Sequence, residues 1–99
     1  MMTLLQFTQL AKKSGEKFFS RNEMKYWKRR IHEYDVYTGL FISSECEGIK
    51  DTFRRYSLRR ADFKTGKVLS VSEPMQFARP ALARGMLKKE KLKLKSLME

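Results

Sequence analysis

The sequence predicts an α+β domain, with helices packed on one face of a three-stranded antiparallel β-meander, in the order α-α-β-β-β-α. Three observations predict it. Apolar residues recur at helical spacing near both ends of the chain. Between residues 37 and 72 the hydrophobic period drops to two, the spacing of a strand. The alternating runs are joined by short, polar, glycine-containing connections, which favour antiparallel neighbours. A chain of 99 residues suits one core. Residues 1–87 read as that domain, and residues 88–99 as a basic tail, helical or frayed.

The first helix runs from Thr3 to Lys13. Thr3 and Gln6 stand at capping-box positions, Leu4, Phe7, Leu10 and Ala11 form the apolar face, and Ser14-Gly15 is the stop. Ser20 and Glu23 start the second helix as S-x-x-E, with Phe19 and Met24 as a hydrophobic staple. Met24, Trp27, Ile31 and Tyr34 carry that helix to Tyr34 along one face, and Arg21, Lys25, Lys28, Arg29 and His32 line the other.

Tyr37 to Ser44 reads as the first strand. Glu45 to Asp51, acidic and containing Gly48, reads as a loop. Phe53 to Asp62 is the longest strand, Lys64-Thr65-Gly66-Lys67 a tight turn, and Lys67 to Ser72 the third strand. Pro74 and Pro80 punctuate the exit, and Pro80 suits the first turn of a last helix docked by Leu82, Met86 and Leu87. The lysine-rich end, where Leu92 and Leu94 alternate, reads as fraying. Alternation sorts Leu40, Ile42, Tyr56, Leu58, Leu69 and Val71 into one core layer. It leaves Phe41, Ser43, Arg55, Ser57, Arg59, Val68 and Ser70 on a wet face.

Charge speaks to the partner. The chain holds 22 Lys+Arg against 11 Asp+Glu, a formal net of +11. An excess of this size costs self-repulsion in the compact state and points to a polyanion. It is segregated as well: residues 12–30 carry a net of +6, residues 31–51 a net of −4, and residues 76–99 a net of +5. The expected contacts to phosphate are Arg55 and Arg59 on the sheet, Lys25, Lys28 and Arg29 on the second helix, and Lys88, Lys89 and Lys91 near the end, with Phe41 stacking or wedging. The expected partner is DNA or RNA, held mainly through the phosphate backbone.

Catalytic signatures are missing. There is one histidine, His32, and one cysteine, Cys46, too few for a four-ligand zinc site or an internal disulfide. Glu45, Glu47 and Asp51 lack EF-hand spacing, and no Gly-rich phosphate loop or nucleophile elbow occurs. No enzyme activity, metal or cofactor is expected. The start of the chain lacks a basic leader and its apolar runs are far too short to span a bilayer, so neither a signal peptide nor a membrane is expected.

Three segments carry a likeness to known sequences. They are Lys17-Phe18-Phe19-Ser20 followed by Met24, then Gly39-Leu40-Phe41-Ile42-Ser43-Ser44-Glu45, then Arg55-Tyr56-Ser57-Leu58-Arg59 with the turn Thr65-Gly66. Over residues 15–75 the chain resembles small uncharacterised proteins of tailed-phage and prophage genomes. The resemblance implies a phage or prophage origin and a bacterial cytoplasmic location, and it brings in the alternative role of an effector that binds an acidic surface of a host protein. The order helix, three antiparallel strands, helix is also similar to double-stranded RNA-binding domains and to the arm-binding domains of phage integrases, on topology alone.

Overall fold

A computed structural model describes residues 1–46 and 53–98. The residues Glu47 to Asp51 of the expected acidic loop lie outside the described set. In chain order the elements are α1 (Leu4–Lys13), α2 (Arg21–Tyr26), β1 (Arg30–Tyr34), β2 (Leu40–Glu45), β3 (Arg55–Ala61), β4 (Val68–Ser70) and α3 (Pro80–Met98). The four strands form one antiparallel meander in the order β1-β2-β3-β4. The class is α+β with three helices, as the sequence predicts, but the sheet has four strands instead of three.

The extra strand replaces the second half of the expected second helix. Ser20 does cap α2, its hydroxyl accepting from the Glu23 N–H at 3.3 Å. The helix then ends at Tyr26, because Lys28 turns into the left-handed region at φ 46°. From Arg30 the chain pairs with β2: Ile31 opposite Ser43, and Tyr34 opposite Phe41. A bulge between Ile31 and Glu33 inserts one residue, His32. In a regular strand residues three apart face opposite ways. The bulge brings Ile31 and Tyr34 onto the same face, where both pack on the aromatic core. A three-residue apolar spacing thus mimics a helix.

The capping box of α1 is present, with the Thr3 and Gln6 side chains each accepting from the other's backbone N–H. Phe7 and Ala11 on this helix are fully buried against Phe18, Phe41 and Ala61. On the other side of the sheet, Ala83 and Leu87 of α3 pack on Leu40, Ile42 and Leu58. Helices therefore cover both faces, not one. The β2 residues Leu40 to Glu45 are all buried, since their even and odd positions each meet a helical layer or the chain leading into α2. Of the expected core layer, Leu40, Ile42 and Leu58 are buried, Tyr56 and Val71 are partly so, and Leu69 is exposed on the short edge strand.

Two turns set the register. Asp35 organises the β1–β2 turn, its carboxylate accepting from the Thr38 hydroxyl at 2.5 Å and the Thr38 N–H at 3.0 Å. Gly39 sits at φ +81°, and a Cβ there would lie 2.5 Å from the Ala61 carbonyl oxygen, so both conformation and space demand glycine. After β4 the chain makes an isolated antiparallel bridge from Phe77 to Tyr56 before Pro80 opens α3. That helix continues past Lys88 to Met98, with Leu94 packed against the second core.

Candidate nucleic-acid interface

The two arginines expected on α2 and on the sheet face meet inside the protein. Glu45, only 2% exposed, ends β2 and accepts from Arg29 Nε at 3.2 Å and Arg59 Nη2 at 3.4 Å on the same oxygen, Oε1. The Ser43 hydroxyl donates to Oε1 at 2.9 Å, and Ser57 reaches Oε2 at 3.4 Å. Arg29 also donates to the Phe18 carbonyl at 2.6 Å, and its guanidinium lies 3.8 Å from the centre of the Phe18 ring. The Arg59 guanidinium lies 4.8 Å from the same ring. Burial lowers the affinity of Arg59 for its proton, and the Glu45 carboxylate works against that shift. The Arg29 and Arg59 side chains are 7% and 12% exposed, so they bind the fold together and are not offered to a partner.

The expected wet face is therefore a correction. Phe41 is 0% exposed, in a cluster with Phe18, Phe19 and Tyr34, and has no ring face free for stacking. Ser43 and Ser57 are buried partners of Glu45. Arg55 is held as well: its Nε donates to the Met75 carbonyl and its Nη2 to the Gln76 carbonyl, each at 2.8 Å. It closes the turn in which Met75 takes φ 58°. Lys91 pairs with Asp35 at 3.4 Å. Burial raises the Asp35 carboxyl, but the Thr38 hydrogen bonds and the Lys91 ammonium outweigh it and hold the group below the ordinary carboxylate value. Lys28 is half-buried, its carbonyl accepting from Arg54 Nη1 at 2.7 Å. Of the nine expected contacts, Lys25, Lys88 and Lys89 are exposed and meet no carboxylate among the described residues.

His32 finds a serine. Its Nε2 lies 2.6 Å from Ser44 Oγ, which also accepts from Arg54 Nη1 at 2.9 Å. The hydroxyl therefore bridges the imidazole and the Arg54 guanidinium. Burial and then Arg54, Arg30 and Arg84 hold His32 below the ordinary imidazole value, in keeping with a neutral ring. The pair has the spacing of a nucleophile and its base. Ser44 is 0% exposed, however, so no substrate reaches that oxygen.

Another set of open cations lies on and between α1 and α2. Lys12, Lys13, Lys17, Arg21 and Lys25 are all exposed, and none meets a carboxylate among the described residues. Gln9, Lys12, Glu16, Lys17, Phe19 and Arg21 line a groove of about 540 Å³ between the two helices. Local structure explains the arrangement. Ser14 caps α1, Gly15 turns the chain at φ 81°, and Ser20 restarts the helix. The one acid in the groove is turned inward to backbone: Glu16 Oε1 accepts from the Val68 N–H at 2.9 Å and Oε2 from the Lys17 N–H at 3.1 Å. The turn before β4 adds a further cation, since Lys67 Nζ donates to the Ser14 carbonyl at 3.1 Å from an exposed position. Lys12 and Lys13 close the last turn of α1, where a cation suits the negative end of the helix dipole.

The sequence places Arg21, Lys25, Lys28 and Arg29 on one face of a long second helix, within the +6 of residues 12–30. The first four open cations precede the middle of α2, and only Lys25 was among the expected contacts. The signal that separates them is acid accounting: Glu45 is needed inside by Arg29 and Arg59, which leaves the lysines nearer the N-terminus without a counter-charge.

Among the described residues no cluster of His, Cys, Asp and Glu suits a metal ion, and no helix is long and apolar enough to cross a membrane. A family model described as a family of unknown function (DUF7447) matches residues 3–88, nearly the whole chain and all of it up to the middle of α3. No curated protein and no solved structure matches.

Proposed function

The chain belongs to this family of unknown function, and from its surface we propose that it binds nucleic acid, mainly through the phosphate backbone, with the α1–α2 junction as the principal contact. One observation carries the reading: Lys12, Lys17 and Arg21 line one groove, with Lys13 and Lys25 on the helices either side of it, all exposed and without carboxylate partners among the described residues. Open cations on one surface repel one another, and a polyanion relieves that repulsion while releasing its counterions. Lys88 and Lys89 lie on α3, across the sheet from α1, and serve as a second, separate contact. The open residues are mostly lysines on exposed helical positions, which neutralise phosphate as point charges and read no base edge. A phage origin and a bacterial cytoplasmic setting, proposed on the sequence likeness alone, would put both DNA and RNA within reach.

The test is a titration of mixed-sequence duplex and single strand at about 50 and about 200 mM salt. Five neutralised phosphates give a slope of log K against log salt of about −4.5 for duplex and about −3.5 for single strands. Affinity varies little with sequence. Absence of binding at the lower salt, or binding with a flat slope, overturns the reading.

A further inference from the structure

We infer that single-stranded nucleic acid is the preferred ligand of this surface, with Tyr26 and Trp27 at the end of α2 as its base-stacking platform. The inference rests on the backbone-binding reading and adds to it the state of the strand. Tyr26 is 68% exposed and belongs to neither core cluster. Trp27 stands perpendicular to it, with ring centres 5.0 Å apart and planes at 85°. The two rings, with Asn22 and Glu23, line an open hollow of about 440 Å³.

The platform is held firmly. The Trp27 N–H donates to the Glu23 carbonyl at 3.1 Å, and the Trp27 carbonyl accepts from the Cys46 N–H at 2.8 Å, so the indole hangs from backbone tied to the buried end of β2. The next residue, Lys28, turns back at φ 46°, which stops the helix and leaves the rings at its open end. The exposed residues of α2 are Arg21, Asn22, Lys25 and Tyr26. Arg21 and Lys25 are one helical turn apart and share one side of α2, next to the side that carries Asn22 and Tyr26.

Charge decides what enters the hollow. Its only ionisable lining group besides the Tyr26 hydroxyl is Glu23, a carboxylate, which repels phosphate. Phosphates are drawn instead to Arg21 and Lys25 beside it, and onward to Lys17 and Lys12 in the groove. What fits between acid and aromatic is a base: a flat ring for Tyr26 or Trp27, with amide and amino edges for Asn22 and Glu23. A duplex keeps its base faces stacked inside and meets only the cations. A single strand meets both.

Trp27 is the only tryptophan in the chain, so its emission reports directly on the platform. A short mixed-sequence single strand quenches it, and a duplex of equal length binds without quenching. Tyr26→Ala weakens single-strand binding about tenfold, on the scale of losing one stacked base, and leaves duplex binding within about twofold. Tyr26→Phe restores the single-strand affinity, since the ring and not the hydroxyl does the stacking. Far-ultraviolet circular dichroism checks that the variants fold. Equal affinity for both forms, with no quench and no effect of Tyr26→Ala, overturns this inference and leaves the backbone reading intact. Absence of binding by either form at low salt overturns both.

Discussion

Replacing Glu45 with alanine lowers the unfolding free energy by about 3–5 kcal/mol, the cost of removing one partner from a buried ion network. The carboxylate is enclosed between Arg29 and Arg59 and takes hydrogen bonds from Ser43 and Ser57. Without it, two guanidiniums with side chains 7% and 12% exposed face each other and a hole, and neither can reach water without unpacking Phe18. A small domain holds about 5–15 kcal/mol in total, so the variant stands near the edge of folding. Glu45→Gln keeps the shape and an acceptor oxygen yet leaves two cations around a neutral amide, so it recovers only part of the loss. Urea unfolding followed by circular dichroism measures both. A loss below about 1 kcal/mol for alanine, the range of a surface pair, would show that the arginines are free to leave and return them to the list of ligand contacts.

The second large effect falls on binding. The triple variant Lys12→Glu, Lys17→Glu, Arg21→Glu loses nucleic-acid affinity by about a thousandfold at low salt, and its salt slope flattens by about three contacts' worth. All three positions are exposed and carry no carboxylate partner among the described residues, so the fold tolerates the change within about 1 kcal/mol. Lys88→Glu with Lys89→Glu removes two cations from the far layer and weakens binding less. The comparison is internal: both variants reverse exposed cations, and they differ in location. If reversal on α3 abolishes binding while the triple variant binds as before, the junction of α1 and α2 is not the interface.

Much of the fold was legible because its signals are local. Capping chemistry at Thr3 and Ser20, the Gly66 turn and the Pro80 start appear in the structure where the sequence puts them, and β2 and β3 lie largely within the expected runs Tyr37–Ser44 and Phe53–Asp62, although Tyr37 and Thr38 belong to a turn and Glu45, expected in a loop, ends β2. The misread strand failed for a definite reason. The bulge at His32 converts a period of two into a spacing of three, and only the pairing with β2 reveals it. The wet face failed for another. Alternation tells which residues share a face but not what covers it, and α1 with Phe18 comes from a part of the chain far from the sheet. The candidate site shows the same limit. Arg29 and Arg59 look like ligand contacts until Glu45 is seen between them, whereas net charge over residues 12–30 marks a stretch that holds exposed cations without telling which of them stay open.

The central claim is that the open cations between Lys12 and Lys25 receive the phosphate backbone. Amide chemical-shift mapping of isotope-labelled protein, titrated with a short mixed-sequence single strand, tests it most directly. The account predicts shifts concentrated on residues 8–28, a weaker set around Lys88 and Lys89, and silence at the buried Glu45 network. Shifts confined to α3, or a spectrum unchanged by saturating ligand at low salt, would contradict it.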